Sequence, residues 1–420
     1  MKKYREPPMG WNSWDCYGAG VTEEIIRSNA AYIAENLKQY GWEYVVVDIQ
    51  WSAPNADSTA YAPFTELCMD EYSRLIPAEK RFPSSAGGRG FAPLAEYVHS
   101  LGLKFGIHIM RGIPRQAVHR NTAILGSAHT AREIAKTASI CQWNTDMYGV
   151  DPEKEGAREY YESLFALYKE WGVDFIKIDD ICREMPHEKS ELVLISECLR
   201  SCGRDMVFSL SPGPAVLEES EMYKQNADMW RITDDFWDEW PLLYAMFERC
   251  EKWSIHSGAG NWPDADMLPV GAINQYTSPD CRTRFTEVEQ ITMMNLWCIF
   301  RSPLIIGGDV CKNDDFTLKL LTNSDVLDMN KKARHAHQVW RRELDGTEHI
   351  LWTAVCADQG QYAVIFNTGD RKSRISVPLS DLEIYSPVSG KDLWSKEEKT
   401  FEDAITLELE PHASAAFLLK

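Results

Sequence analysis

What this 420-residue sequence lacks narrows its class before any motif is read. No apolar run approaches the roughly 18 residues that a membrane-spanning helix needs. The N-terminal Met1-Lys2-Lys3-Tyr4-Arg5-Glu6-Pro7-Pro8 carries charge with no apolar stretch behind it, so it does not read as a signal peptide. Basic residues are scarce: 44 Lys and Arg face 63 Asp and Glu, and the formal net charge of -19 argues against nucleic acid or an anionic membrane as a partner. The 11 cysteines include no CxxC pair. Cys198 and Cys202 stand four apart on a predicted helix, but no histidine accompanies them at ligand spacing. The sequence therefore offers no zinc site, and none of its motifs calls for a metal or an organic cofactor. An odd number of scattered thiols reads as reduced, which together with the missing leader predicts a cytoplasmic protein. There is no internal repeat, no low-complexity tract, and no GxGxxG turn after the first predicted strand.

What is present is material for a large core, with 44% hydrophobic residues and 15 Trp, in a chain long enough for two domains. Met9-Gly10-Trp11-Asn12-Ser13-Trp14 reads as a short strand and its exit loop. Thr22 is expected to cap a helix that runs to Tyr40 with Ile25, Ile26, Ala30, Ile33 and Leu37 on one stripe, and Gly41 stops it. Tyr44-Val45-Val46-Val47-Asp48 is an apolar run ending in an acid, as in a buried parallel strand with a functional C-terminal end. The unit recurs, with strands at 104–109, 173–181, 206–210, 228–231, 264–268 and 303–306. Helices fall at 91–101, 155–171, 189–202, 215–225, 238–253, 286–297 and 316–321. Eight such alternations predict an α/β fold, a (β/α)8 TIM barrel. Beyond residue 330 the texture changes to short strands at 349–355, 362–367, 374–377, 404–407 and 415–419. The turns between them are polar, Lys396-Glu397-Glu398-Lys399 among them. The expected division is a catalytic barrel over 1–330 and a C-terminal antiparallel β-sandwich over 331–420, packed on the barrel. A homo-oligomer is left open.

The stretch Val173-Asp174-Phe175-Ile176-Lys177-Ile178-Asp179-Asp180-Ile181 breaks the apolar pattern. Side chains alternate along a strand, so Lys177 and Asp179 share one face and Asp180 points the other way. Burying a cation and a carboxylate there is costly unless the two work together. On these residues alone a structural ion pair and a catalytic pair are equally good readings. Catalytic groups of a barrel gather at the C-terminal ends of its strands, and this chain offers Trp14, Asp48, His108, Lys177, Asp179, Ser211, Arg231, Asp235 and Asp266 there. Two carboxylates with cations and an aromatic wall suit glycoside hydrolysis. Lys177 should keep Asp179 ionised, as a nucleophile requires, while the aromatics flanking Asp235 in Trp230-Arg231-Ile232-Thr233-Asp234-Asp235-Phe236-Trp237 should desolvate it, as a general acid requires. Trp11 and Trp42 read as core. The Arg- and His-rich insertion from Met110 to Val150, which holds Trp143-Asn144-Thr145-Asp146-Met147-Tyr148, is expected to build the aglycone side of the pocket.

Several motifs taken in order carry a resemblance. They are Gly10-Trp11-Asn12-Ser13-Trp14, the Val-rich strand ending in Asp48 with Trp51 beyond, Lys177-Ile178-Asp179, Trp230-Arg231 followed by Asp235, and Arg301-Ser302-Pro303-Leu304 through Gly307-Gly308-Asp309. Together they resemble the α-galactosidase and α-N-acetylgalactosaminidase family, glycoside hydrolase family 27. The resemblance implies a retaining exo-α-glycosidase acting on a small carbohydrate. It implies Asp179 as nucleophile, and Asp235, four residues after Arg231, as acid/base in preference to Asp234. Lys177 and Arg231 would hold sugar hydroxyls, Trp14 would form the apolar wall, and Asp48 would bind hydroxyls far from the anomeric carbon. Asp266 is expected just behind these contacts, and the two catalytic carboxyls about 5–7 Å apart. Three positions depart from the family pattern. Ile49 replaces the second of two aspartates, Gln50 replaces a cysteine, and His108 replaces a tyrosine. Ser211 stands where a glutamate fits a 2-hydroxyl and a serine leaves room for a 2-acetamido group, which tilts the expectation toward N-acetylgalactosamine. Ile49 keeps open another sugar, such as a β-L-arabinopyranoside or an isomaltose-type unit. A non-catalytic carbohydrate-binding barrel is the reading from a different class.

Overall fold

The structure, a computed structural model, describes residues 6–420 apart from Thr59 and Asp345. Most of the N-terminal segment read above for a leader lies outside the described residues. Eight short parallel strands form the barrel: Met9–Asn12, Tyr44–Val47, Lys104–Met110, Phe175–Asp179, Val207–Leu210, Met229–Arg231, Trp262–Asp264 and Leu304–Ile306. Each pairs with the next from the first to the seventh, and the eighth returns to the first with Leu304 opposite Met9. Between the seventh and eighth strands the closure is one parallel bridge, Leu268 to Ile306, with the Leu268 amide donating to the Ile305 carbonyl at 2.8 Å. The seventh strand was expected at 264–268 and instead ends at Asp264. There the Asp264 carboxylate accepts the Asp266 amide at 3.0 Å and Asp266 takes a left-handed φ of 82°, which turns the chain out of the sheet.

Helices cover the outside of the barrel and bury Trp42, Phe91, Phe165 and Phe247 against it. The first long helix starts at Glu23, but the Thr22 side chain makes no capping bond. Its α-helical part ends at Tyr32 and it runs out through a π turn and a 3-10 turn to Gly41, whose φ of 105° ends the helix. Thr286 does cap: its hydroxyl accepts the Glu289 amide at 3.2 Å while Glu289 accepts the Thr286 amide at 2.9 Å. The insertion after the third strand is a small folded unit. The strands Ile113–Pro114, Ala135–Ile140 and Met147–Val150 form an antiparallel sheet, accompanied by helices Arg115–Arg120 and Ala131–Ile134.

The C-terminal region is a six-stranded antiparallel sheet facing a two-stranded one, Ser373–Pro378 with Ala404–Leu409. Alternation along its strands divides the burial. Leu351, Ile365 and Phe417 face Ile375, Val377 and Ile405 inside the sandwich. Trp352, Val364, Phe366 and Ala416 join the barrel core, with Phe366 and Phe247 rings 4.9 Å apart. Three strands escape the sequence pattern, Ala333–Leu344, Val388–Asp392 and Glu398–Phe401. The first and last are sheet edges whose charged side chains are exposed or only partly buried, so neither shows apolar alternation, and Glu398-Lys399, read as part of a turn, opens an edge strand.

The two caps differ in a way that unfolding can read. Thr286→Ala should cost about 1 kcal/mol and Thr22→Ala only a few tenths in equilibrium urea unfolding, because only Thr286 satisfies a helix amide through its side chain. Equal losses would contradict this assignment.

Candidate active site

Strand register assembles the site. Across neighbouring strands His108 lies opposite Lys177, Lys177 opposite Ser209, and Met110 opposite Asp179. Alternation brings Lys177 and Asp179 to the inner face at the barrel mouth, while Asp180 turns away with φ 62° and pairs with Arg111 at 2.8 Å. Asp179 is buried, and its carboxylate is held from two sides: His108 Nε2 donates to Oδ2 at 2.8 Å, and the Ser211 hydroxyl donates to Oδ1. Since a carboxylate only accepts, His108 carries its hydrogen on Nε2. Burial alone would raise the Asp179 pKa. The His108 hydrogen bond and charge, the Lys177 ammonium and the Ser211 bond outweigh it and hold the group well below the usual carboxylate range.

The expectation that Lys177 pairs directly with Asp179 needs correction. Its Nζ sits 3.0 Å from Asp48 Oδ2, and its influence on Asp179 is through space. Burial would lower the Lys177 pKa, yet Asp48 first and Asp179 next raise it. Asp48 also accepts from Asn12 Nδ2 at 2.7 Å and from the Ile49 amide at 2.8 Å. Asn12 in turn accepts the Trp14 amide at 2.8 Å, which fixes that ring above the site.

A second cluster surrounds Arg231, which contacts Asp266 at 2.9 Å and Asp235 at 3.1 Å. The shelter expected around Asp235 is absent. Trp230 turns into the core against Tyr223, Phe236 packs on Trp297, and the Asp235 side chain stays 57% exposed. Asp266 is buried on Arg231 and on the Phe236 amide, so it orients the guanidinium from behind. Asp234 bonds Arg183 at 2.8 Å and accepts the Asp235 amide at 3.0 Å, which holds the loop. Burial, and then Asp266, push Asp264 up to about 7.

Of the residues singled out from sequence, Trp14, Asp48, Lys177, Asp179 and Asp235 line one cavity of about 430 Å³, a volume suited to a sugar ring and part of its aglycone. His108, Ser211 and Arg231 stand behind its wall, each touching a residue at the cavity, and Asp266 stands one step further back on Arg231. Ile49, Tyr61, Trp143, Arg183, Pro212 and Asp234 complete the lining. Tyr61 stacks on Trp14 at 6.0 Å and meets Trp143 at 5.7 Å, so three distant segments make one aromatic wall. Nothing in the irregular sequence around Tyr61 marks it for that role. Ile49 packs with Met110, Cys141 and Met147. Among the described residues no group of three His, Cys, Asp or Glu is placed to hold a metal ion.

A barrel with two aspartates facing one aromatic-walled hollow at its strand ends defines the glycoside hydrolase class. Residues 6–154 and 152–332 match the alpha galactosidase A family, and residues 335–419 match the alpha galactosidase C-terminal beta sandwich domain. The chain belongs to that family, glycoside hydrolase family 27. Among solved structures, a family 27 β-L-arabinopyranosidase from Geobacillus stearothermophilus is 54% identical, with a TM-score of 0.96 over 99% of this chain and 96% of its own. A Bacillus halodurans protein provisionally named an α-N-acetylgalactosaminidase is 48% identical, with a TM-score of 0.87 over 100% of this chain and 99% of its own. The alpha-galactosidase of Oryza sativa subsp. japonica is 25% identical, over 99% of this chain and 85% of its own length.

The raised Asp264 makes stability depend on pH. Its unfolded carboxyl titrates near about 4, whereas the folded one keeps its proton to about 7. The folded state thus binds more protons in that window, and this group's contribution to stability falls as pH rises through it. Asp264→Asn should therefore gain on the wild type by on the order of 2 kcal/mol between about pH 5 and pH 8 in chemical unfolding. A constant difference across that range would refute the shifted titration.

Proposed function

We propose that this glycoside hydrolase is a retaining β-L-arabinopyranosidase, with Asp179 as nucleophile and Asp235 as acid/base. The observation that carries the sugar assignment is Ile49 in the cavity wall beside Asp48, backed by Met110, Cys141 and Met147. β-L-Arabinopyranose has the ring of α-D-galactopyranose without its exocyclic hydroxymethyl. Where the family pattern places a second carboxylate for a sugar hydroxyl, this chain places a branched alkyl side chain. A hydroxymethyl pressed there would be desolvated without a partner, at a cost of about 1–3 kcal/mol, whereas a bare ring carbon loses nothing. The 54% identity to an arabinopyranosidase over nearly the whole chain supports the same sugar. Ser211, the basis for expecting N-acetylgalactosamine, spends its hydroxyl on Asp179, which suits a role in holding the nucleophile.

The sugar enters with its non-reducing end against Trp14 and Asp48. Asp179, kept ionised by His108, Ser211 and Lys177, attacks the anomeric carbon, while Asp235 gives its proton to the departing oxygen. A glycosyl-enzyme of inverted configuration forms. Asp235 then takes a proton from water, and the second displacement restores the original configuration. Because Asp266 shares the charge of Arg231, the guanidinium is not wholly given to Asp235.

An aryl glycoside panel tests the sugar. The wild type should hydrolyse the β-L-arabinopyranoside with kcat/KM about tenfold or more above the α-D-galactopyranoside, and Ile49→Asp should narrow that ratio by about tenfold. A wild type that prefers the galactoside, or an N-acetylgalactosaminide, overturns the assignment.

The mechanism is tested separately. Asp179→Ala should lower kcat by roughly 10⁴ or more. Azide should restore part of the turnover on an activated aryl arabinopyranoside and yield the azide of inverted configuration. An azide of retained configuration would exchange the roles of Asp179 and Asp235.

A further inference from the structure

A second cavity, of about 770 Å³, lies between the insertion and the segment around Phe64 and Leu67. The same two segments contribute to the catalytic cavity. Phe64 and Asp146 line it, and each stands three residues beyond a residue of the catalytic wall, Tyr61 and Trp143. The Phe64 amide ties the two segments together by donating to Thr145 Oγ1 at 2.7 Å.

Its charge runs against that of the molecule. In a chain of net charge -19, the segment from Arg111 to Val150 holds Arg111, Arg115, Arg120, Arg132 and Lys136 against Glu133 and Asp146 alone. Three of these cations are committed: Arg111 to Asp180 and Glu191, Arg120 to Glu66, and Lys136 to Glu188. Arg115 and Arg132 form no ion pair with a carboxylate among the described residues. Arg115 donates Nε to the Met147 carbonyl at 3.1 Å, and Arg132 donates Nη2 to the His119 carbonyl at 2.9 Å, so each keeps further N–H groups free of carboxylates beside the cavity. Arg115 lies over the rings of Tyr148 and Phe64, at 4.7 and 5.7 Å. Asp146 is only 8% exposed; its Oδ2 accepts from Gln50 Nε2 at 3.0 Å, while its buried Oδ1 has no partner.

A buried acceptor without a donor costs free energy that a ligand hydroxyl recovers. Guanidinium groups without acids are suited to a carboxylate, and aromatic faces to the C–H faces of a sugar. We infer that this cavity is a second saccharide site that takes an acidic sugar, a uronate carried by the glycan from which the terminal sugar is cut, with Arg115 and Arg132 on its carboxylate and Asp146 on a hydroxyl. The inference rests on the chain being a glycoside hydrolase and not on which sugar departs, so it can fail while the arabinopyranosidase assignment stands, and the reverse.

Calorimetry on the full chain with a trigalacturonate, and with the same trisaccharide after reduction of its carboxyls, reads this directly. The acidic trisaccharide should bind about tenfold or more tightly than the neutral one and should lose that advantage in high salt. The double variant Arg115→Gln, Arg132→Gln keeps donors for the Met147 and Val118 carbonyls that the two Nε groups meet. It should lose the preference for the acid, while kcat/KM on an aryl arabinopyranoside, whose small aglycone does not reach the cavity, stays within about twofold. Equal binding of the two trisaccharides, or acid binding untouched by the double variant, overturns the proposal. So does a double variant that sediments as a smaller species than the wild type, which would make the cavity a contact between copies of this chain.

Discussion

The site depends on keeping one buried carboxylate charged. Asp179 is 8% exposed, and an ion so placed would take up a proton if nothing opposed it. Two hydrogen bonds, from His108 and Ser211, and one nearby ammonium oppose it. These groups come from the third strand, the fourth strand and the turn after the fifth, so Asp179 is held ionised only while those strands keep their register. A slip by one residue would send His108 or Lys177 to the outer face of the barrel. Lys177 is fixed in turn by Asp48, and Asp48 by Asn12 on the first strand, so five strand ends are locked around one charge. Apolar packing fixes the barrel's shape but does not by itself select this register; the polar chain across the strand ends does.

The opposite side of the hollow follows a different rule. Around Arg231, acids outnumber cations: Asp15, Asp264, Asp266 and Asp235 meet Arg231 and Lys177. Where cations run short the acids give up charge, so burial and mutual repulsion push Asp15 and Asp266 up, as they do Asp264. Asp235 is the member of this group most open to solvent. One half of the site thus enforces ionisation of its buried acid, while in the other the buried acids beside Arg231 are held toward their neutral form. The Gly307-Gly308-Asp309 motif belongs to the same arrangement. A Cβ on Gly307 would collide with the Asp15 carboxylate, so glycine there makes room for a buried acid beneath the site.

Most of this architecture is legible in the sequence because several barrel strands carry, at or just past their C-terminal ends, a residue too polar for its burial. Val47 gives way to Asp48, Ile107 to His108, and Ile178 to Asp179, and the alternation of strand and helix places all three at one mouth. What the sequence hides is pairing. Lys177 and Asp179 share a face, but the closer acid lies 129 positions away at Asp48, and no local pattern reveals it. Flanking aromatics likewise do not enclose the residue between them: Trp230 and Phe236 serve the core. Tyr61 reaches the site from irregular chain, and the edge strands of the sandwich carry charge in place of alternation. Periodicity reports which side of an element is buried, and it is silent on which partner crosses from another element.

On the proposed assignment, ring recognition and aglycone recognition are built from different parts of the chain. The groups that handle the ring sit on strand ends whose positions the barrel fixes. The groups that meet whatever the ring is attached to sit on two excursions, the segment holding Tyr61 and Phe64 and the folded insertion holding Trp143 and Asp146. Ile49 lies where the two meet, since it follows the second strand yet packs on Met110, Cys141 and Met147 at the root of the insertion. An acid at this position would need a cation or donors from a wall that here is apolar, so isoleucine at position 49 suits the surface it faces. The excursions hold few of the contacts that ionise Asp179. Chain length and charge in them can therefore vary without disturbing the ionisation of Asp179.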